Sequence, residues 1–259
     1  ILFLLIGAVF GVGMAATILV AQAMGARDLA QAQRVMGTSA PFFGGTSVLI
    51  AAVGLPLSRE ILAWMGTPPD ALPLAEAYLR TLFLAIPLLY LFAFVSAVLR
   101  GAGDTRTPFL FLLLVVVLDT ALNPLLIFGA GPLPRMGIAG SGMATLLANA
   151  ISFAALLAWL RYRRHPLWIG RAQWRLFLPQ RDILRALIAK GVPMGLQMVM
   201  ISLAMITMLS LVNAHGIATT SAYGAALQLW TYVQMPAMAI GAACSSMAAQ
   251  NVGAGHWDR

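Results

Sequence analysis

Residues 109–129 read FLFLLLVVVLDTALNPLLIFG, an apolar segment in which Asp119 is the one ionisable side chain. A helix needs about 20 predominantly apolar residues to cross the hydrocarbon core of a bilayer. The segment has that length, so it predicts a transmembrane helix. Because an acid near the middle of such a helix is costly, the segment also contains the first candidate for a functional residue.

The rest of the 259-residue chain is similar: 61% of its residues are hydrophobic, only 9% are charged, and its mean hydropathy is +0.88. Soluble globular proteins carry about 25% charged residues, so an ordinary soluble enzyme is excluded. The net charge of +8 does not indicate nucleic-acid binding, because half of the sixteen basic residues lie between Arg161 and Lys190. A single cysteine, Cys244, excludes a disulfide framework or a thiolate metal cluster.

Apolar runs separated by charged residues, proline and glycine predict an all-α fold, a polytopic membrane helix bundle of about seven transmembrane helices. The predicted helices span residues 1–24, 35–57, 78–99, 108–129, 137–160, 186–212 and 220–250. The last of these is unusually long, and we expect a break at Pro236.

Loops rich in Lys and Arg mark the cytoplasmic side of a membrane protein. On one side of the predicted bundle, the loops at 25–34 and 100–107, the stretch 161–190 and the C-terminal end hold thirteen Lys and Arg residues. The loops on the other side hold three. We therefore predict that 25–34, 100–107 and 161–185 lie in the cytoplasm.

The segment 161–185 is the one sizeable linker, and it interleaves arginines with Trp168, Trp174 and Phe177. Aromatic and basic side chains beside a membrane helix are typical of a segment that lies in the headgroup layer and binds anionic lipid. We expect this role for residues 161–185 and regard RNA binding as the weaker interpretation.

A shift of 228 residues aligns 13–26 with 241–254 at six identical positions. The identical pairs include Gln22 with Gln250 and Gly25 with Gly253. Duplicated halves are common in transporters. Because the last helix repeats the first, we expect a fragment of a protein with two six-helix halves, lacking the first helix and the last four. The two copies should be related by a pseudo-two-fold axis along the membrane normal.

Asp119 and its neighbours form a candidate cation site. An ionised carboxylate at this depth costs about 2.5–3.5 kcal/mol on insertion scales, so intramembrane acids usually face a cavity and serve ion or proton movement. Asn123 lies one turn further on, where its amide can reach the carboxylate. Pro124 has no N–H, which frees the carbonyl of Thr120 as a further oxygen ligand. The alternative interpretation is an acid that only satisfies a helix–helix hydrogen bond.

Several segments, in their order and spacing, resemble the multidrug and toxic compound extrusion (MATE) family of transporters. They are VAQAMGARD at 20–28, LRGAGDTRTP at 99–108, LIFG at 126–129, GIAGSGMAT at 137–145, GVPMGLQ at 191–197 and AAQNVGAG at 248–255. The resemblance implies twelve helices in two six-helix lobes, of which this chain would contain roughly the second to the eighth. On this basis residues 1–160 belong to the N-terminal lobe, 161–185 form the cytoplasmic linker, and 186–259 begin the C-terminal lobe.

The resemblance also implies a cation site in the N-terminal lobe, with an Asn and an Asp one turn apart in the fifth helix and a Thr in the sixth. Asp119 and Asn123 occupy the two positions of the fifth helix with their identities exchanged, and Thr145 matches the Thr. The family's further acid, on the first helix, would lie upstream of this chain. One branch of the family uses a Glu in the seventh helix; residues 191–212 contain none and have Gln197 near their start, which argues against that branch.

We therefore predict a multi-pass protein of the cell membrane, the bacterial inner membrane, that exports organic cations or amphiphilic drugs in exchange for protons or sodium. Apart from H⁺ or Na⁺ as coupling ion, we expect no cofactor, no metal site, no nucleic-acid partner and no enzymatic activity. Polar side chains in the later spans are the candidate substrate-lining residues: Gln197, Gln228 and Tyr232.

Two other functions are possible interpretations of the sequence. A flippase for lipid-linked oligosaccharides has a related architecture, but anionic pyrophosphate headgroups would require Arg or Lys inside the spans, where only Lys190 comes close. An integral-membrane enzyme would need converging nucleophile, base or metal ligands, and none are visible in the sequence.

Overall fold

The computed structural model of the chain describes residues 2–64, 69–70, 72–129, 135–170, 175–213 and 215–258. These residues form seven α-helices and, within the described ranges, no strand. The helices are α1 (Leu2–Gly25), α2 (Leu29–Trp64), α3 (Leu72–Gly101), α4 (Arg106–Phe128), α5 (Ile138–Tyr162), α6 (Arg181–Asn213) and α7 (Ile217–Gly253). The predicted all-α fold with seven helices is confirmed.

Five of the helices, α2 to α6, are long and apolar enough to cross a membrane. Within α1 the apolar stretch is shorter and comprises Gly13–Gly25. Several long apolar helices in one chain define a multi-pass membrane protein, as the sequence predicts.

Four of the helices, α2, α3, α6 and α7, extend beyond the predicted apolar spans. α2 begins at Leu29 instead of residue 35, and α6 begins at Arg181 instead of residue 186. At the start of α2 the Asp28 carboxylate accepts a hydrogen bond from the backbone N–H of Gln31 at 2.8 Å, which caps the first turn. Because polar turns continue the helices, hydropathy alone places their ends too close to the membrane centre.

The predicted break of the last helix at Pro236 is wrong. α7 runs from Ile217 to Gly253 without interruption and contains Pro236 in its interior. A proline removes one backbone hydrogen bond, but membrane helices tolerate this loss because the bonds on either side persist and neighbouring groups satisfy the freed carbonyl. Proline also lies inside four other helices of this chain, at Pro41 and Pro56, Pro87, Pro124, and Pro193.

The described chain divides into two compact units. The first comprises Ile1–Val35, Gly101–Gly103 and Gln180–Arg259, and it contains α1, α6 and α7. The second comprises Met36–Arg100 and Asp104–Pro179, and it contains most of α2 and α3 together with α4 and α5. The predicted division into two lobes stays a prediction.

In the first unit, α1 packs closely on α6 through glycine. Gly11 of α1 faces the backbone of Gly191 and Gly195 in α6, and a Cβ atom at residue 11 would overlap that backbone. Small residues that allow two helix backbones to approach are typical of membrane helix packing, where lipid gives no hydrophobic drive for association.

α1 and α7 meet at a reciprocal pair of contacts. A Cβ atom at Gly25 would overlap the carbonyl oxygen of Gln250, and one at Gly253 would overlap the carbonyl oxygen of Gln22. The 228-residue offset of the sequence repeat converts the first contact into the second. Reciprocal contacts between equivalent residues are what a two-fold axis produces. The packing therefore supports a two-fold relation between α1 and α7.

Gly253→Ala should destabilise the full-length protein, because the added methyl group has no room beside the carbonyl oxygen of Gln22. Overpacking of this kind typically costs about 1–3 kcal/mol. Gly241→Ala is the matched control, since Gly241 lies on the same helix with open space around it, and alanine favours a helix over glycine. Thermal unfolding in detergent should show a lower Tm for Gly253→Ala only. Equal Tm values in the two variants would contradict the close contact.

The second unit has an aromatic contact between α2 and α3. The rings of Phe43 and Phe94 stack with their centroids 4.7 Å apart, and both side chains are buried. α5 joins this unit through Gly142, where a Cβ atom would press on the side chain of Thr81 in α3. The contact of Gly142 with Thr81 holds α5 against α3, in the unit that carries the candidate site.

Candidate functional site

The candidate site depends on a close approach of α4 and α5. Gly140, in the first turn of α5, faces the backbone of α4 so closely that a Cβ atom would lie 2.6 Å from the carbonyl oxygen of Leu126. The backbone N–H groups of Met136 and Gly137 donate to the carbonyl oxygens of Leu126 and Ile127, at 3.1 and 3.3 Å. The segment before α5 is therefore tied to the end of α4, and the two helices run back alongside each other.

This arrangement brings Asp119, Asn123 and Thr145 together. The hydroxyl of Thr145 donates to Oδ1 of Asp119 at 3.0 Å, and the side-chain amide of Asn123 donates to Oδ2 at 3.1 Å. Each carboxylate oxygen thus accepts a hydrogen bond, one from its own helix and one from α5. Asp119 and both donors are partly buried, so the carboxylate is neither sealed in the core nor fully exposed.

Thr145 has two acceptors for one hydroxyl proton. Its Oγ lies 3.0 Å from Oδ1 of Asp119 and 3.2 Å from the carbonyl oxygen of Ser141, one turn earlier in α5. A hydroxyl donates one strong hydrogen bond at a time, so these two contacts compete. An ionised carboxylate is the stronger acceptor, and the preference of Thr145 consequently depends on the charge of Asp119.

The predicted contribution of Thr120 has a structural basis in α4. Pro124 lies inside that helix, so the carbonyl of Thr120 lacks the N–H donor that a helix supplies four residues later. The side chain of Thr120 is exposed, so the oxygen ligand that we predict from this residue is its backbone carbonyl oxygen.

The three predicted substrate-lining residues lie in the first unit, on α6 and α7, and all are exposed. Gln197 belongs to α6. Gln228 and Tyr232 lie one turn apart on α7, where the amide of Gln228 donates to the Tyr232 hydroxyl at 3.3 Å. Of the three substrate-lining candidates, the structure thus shows a contact between Gln228 and Tyr232. Asp119, the candidate coupling acid, lies in the second unit.

Asn149 belongs to the surroundings of the site but was missed from the sequence. It lies one turn after Thr145 in α5, is buried, and donates from its side-chain amide to the carbonyl oxygen of Thr145 at 2.8 Å. The signal that could have revealed it is the helical spacing of Ser141, Thr145 and Asn149, each four residues from the next.

Outside the membrane-spanning helices, a polar contact joins the α3–α4 turn to the end of α5. Asp104 accepts a hydrogen bond from the backbone N–H of Thr107 at 3.0 Å, and its other carboxylate oxygen lies 3.8 Å from Nε2 of His165. The backbone N–H of Leu167 donates to Nδ1 of His165, so the neutral ring carries its proton on Nε2, facing Asp104. Burial lowers the pKa of His165, and the nearby Asp104 opposes this shift only in part.

The lowered pKa of His165 predicts a pH dependence of stability. Below about pH 6.5, the ordinary pKa of histidine, the unfolded chain binds a proton more readily than the folded protein. Above about pH 6.5 His165 does not reduce the free energy of unfolding. As the pH drops from about 6.5 toward the lowered pKa, the free energy of unfolding falls, because the unfolded chain binds the proton first. His165→Gln should flatten the dependence of Tm on pH in that interval, measured from pH 7.5 to 5. An unchanged slope would show that the ring is not the group responsible.

A hydrogen-bonded carboxylate between two apolar helices is an arrangement found in multi-pass membrane transporters. The model of the MatE family matches residues 1–125 and 193–259, which include Asp119 and Asn123. The chain belongs to the MatE family, and the resemblance seen in its motifs is confirmed.

The relatives agree with this assignment. Probable multidrug resistance protein YoeA of Bacillus subtilis is 38% identical over 257 residues, which cover 99% of this chain and 56% of that protein. Probable multidrug resistance protein YpnP of the same organism is 34% identical over 252 residues, 97% of this chain and 54% of that protein. A crystal structure of MATE in the bent conformation matches 98% of this chain with a TM-score of 0.88 and 25% identity, and is itself covered to 55%. The chain thus spans about half the length of the relatives it matches.

Proposed function

We propose that the full-length protein is an antiporter that exports organic cations or amphiphilic drugs in exchange for protons or sodium ions, with Asp119 as the coupling acid. The observation that carries the proposal is the carboxylate of Asp119, held between α4 and α5 by Thr145 and Asn123. Both donors are neutral, so a proton or a bound cation is what would balance the charge of the acid.

Either coupling ion would change the hydrogen bonds of the site. A proton on Asp119 would turn the carboxylate into a donor and weaken its hold on the Thr145 hydroxyl, which can then donate to the carbonyl oxygen of Ser141. A sodium ion would instead find oxygen ligands in the carboxylate, the Thr145 hydroxyl and the carbonyl of Thr120. In both cases ion binding alters the contact between α4 and α5, which allows it to favour one of two transporter states.

The substrate class rests on charge and on the names of the relatives. The apolar spans offer an acid and amides but little positive charge, which suits a cationic or neutral amphiphile better than the anionic headgroup that a flippase binds. Both Bacillus subtilis relatives are named for multidrug resistance. We assign Gln197, Gln228 and Tyr232 to the lining of the substrate cavity, with residues 1–160 and 186–259 in the two lobes.

The end of α5 and the linker 161–185 are assigned to the cytoplasmic headgroup layer. The guanidinium of Arg163 stacks 4.8 Å from the centre of the Trp159 ring, and Arg161 and Arg164 are exposed beside it. Such a pair of aromatic anchor and basic groups favours anionic lipid headgroups. Trp174 of the predicted segment lies outside the described residues.

Asp119→Asn in the full-length protein should abolish gradient-driven export while preserving insertion and substrate binding, because an amide keeps the shape of the side chain but cannot titrate. Asp70→Asn, the same change at an exposed loop position, is the matched control and should export normally. The measurement is uptake of a fluorescent cation into inside-out vesicles with proton and sodium gradients imposed separately. Export by Asp119→Asn at the wild-type rate would contradict the coupling role.

Thr145→Val should change ion binding without removing the acid: a sodium ion would lose an oxygen ligand and bind more weakly, whereas a proton would bind more strongly because the ionised carboxylate loses a hydrogen-bond donor. The change deletes the hydroxyl that donates to Asp119 at nearly constant shape, and a hydrogen bond to a charged group contributes about 1.5–3 kcal/mol, roughly 10-fold to 150-fold in affinity. We expect the concentration of coupling ion that gives half-maximal export to shift by at least tenfold, and Thr145→Ser to restore it. A Thr145→Val protein with the wild-type ion dependence would remove Thr145 from the site.

A further inference from the structure

The polar side chains of α5 lie on one face of the helix. Between Ile138 and Leu160 they are Ser141, Thr145, Asn149 and Ser152. Spacings of four, four and three residues place them within an arc of about 80°, at 3.6 residues per turn. Thr145, which contacts Asp119, is therefore one member of a polar stripe.

The two members of the stripe beyond Thr145 are buried in the protein. Asn149 is 5% exposed and Ser152 is completely buried, whereas Ile151 on the same helix is 48% exposed. Burial of a polar side chain costs free energy unless the side chain finds a hydrogen-bond partner. The burial of Asn149 and Ser152 therefore calls for partners. Asn149 finds one in the carbonyl of Thr145.

The hydroxyl of Ser152 differs from that of Thr145 in its hydrogen bonding. Thr145 donates to acceptors, but the buried Oγ of Ser152 has no hydrogen-bond partner in the part of the chain that the structure describes. Other membrane hydroxyls of the same unit, such as those of Ser58 and Thr81, donate to a carbonyl three or four residues earlier. A buried hydroxyl without a protein partner calls for water or an ion beside it.

Other hydroxyls of the second unit share this property. In the described chain, buried oxygens without a partner also belong to Thr38, Ser39, Tyr90 and Ser96. Thr38 and Ser39 lie nine and ten residues after the start of α2, and Tyr90 lies eleven residues before the end of α3. Ser152 lies ten residues before the end of α5. With the predicted orientation, all of these helix ends are cytoplasmic, so the unpartnered hydroxyls belong to the cytoplasmic half of the unit.

The stripe leads from Asp119 toward the cytoplasmic end of α5. Ser152 lies seven residues beyond Thr145, which corresponds to about 10 Å along the helix. Asn149 lies between the two. The amide and hydroxyl are neutral hydrogen-bonding groups that can hold water or pass a cation without trapping it, since neither carries a charge.

We propose that Asn149 and Ser152 line a hydrated passage that connects the carboxylate of Asp119 to the cytoplasm and through which the coupling ion is released. The inference deepens the proposed function, because it assumes that an ion is exchanged at Asp119. Ser152 acts as a positioning residue for water or the ion, and Asn149, whose amide donates to the carbonyl oxygen of Thr145, lies three residues before it.

Thiol labelling tests whether the passage contains water. In a cysteine-free form of the full-length protein, with Cys244 replaced by serine, Asn149→Cys and Ser152→Cys are compared with Ala148→Cys, a buried position beside the stripe. We expect a small, positively charged methanethiosulfonate reagent, added from the cytoplasmic side, to modify both stripe positions at least tenfold faster than residue 148. Equal rates at the three positions would overturn the passage.

Transport by Ser152→Ala tests whether the passage serves ion release. A purely structural hydroxyl without a partner can be removed at no loss, so export would be unchanged, and that result would overturn the proposed role. We expect instead a slowing of gradient-driven export by threefold or more, an unchanged half-saturating ion concentration on the external side, and recovery in Ser152→Thr.

The two sets of variants separate the passage from the coupling acid. Normal export by Asp119→Asn would remove the coupling acid whatever the labelling shows. Slow labelling at residues 149 and 152, together with loss of export in Asp119→Asn, would overturn the passage and leave Asp119 as the coupling residue.

Discussion

The hydrogen bond between the Thr145 hydroxyl and the Asp119 carboxylate is the interaction on which the arrangement of α4 and α5 centres. A carboxylate at the middle of an apolar helix is tolerated only where another helix supplies polar partners. That requirement determines where α5 must lie, and Gly140 makes the position attainable because a side chain there would collide with the carbonyl oxygen of Leu126. Gly140 near the start of α5 and Thr145 five residues further on are thus parts of one constraint.

The same principle of close backbone approach operates in the other unit. Gly25 and Gly253 let α1 and α7 meet at equivalent residues of the two repeats, each against the carbonyl oxygen of the other helix's glutamine. The 228-residue offset of the sequence repeat relates the two contacts to each other. The side-chain amide of Gln250 also donates to the carbonyl oxygen of Gly101 at 2.9 Å, so the family motif at 99–108 contacts this same region.

Sequence alone predicted the features that depend on local spacing. The pair Asp119 and Asn123 follows from a separation of one helical turn, and the number of helices follows from the lengths of the apolar runs. Thr145 lies 26 residues from Asp119, and composition or periodicity could not pair them; the resemblance to the family supplied that match. The prediction that α7 breaks at Pro236 was wrong because proline ends a helix less often in a membrane, where the backbone hydrogen bonds on both sides of the proline persist. Ser152 was overlooked because hydropathy averages a lone serine into its apolar surroundings, and only burial without a partner reveals it.

We propose that Asp119 links the two binding events, so that substrate binding favours the state of the protein in which the coupling ion leaves Asp119. This link is tested most directly by measuring the ion released when the detergent-solubilised, full-length protein binds an organic cation, with a pH indicator in weak buffer for protons and with ²²Na⁺ for sodium. We expect about one ion released per substrate bound by the wild type and none by Asp119→Asn at saturating substrate. Equal release by the two proteins would contradict the link.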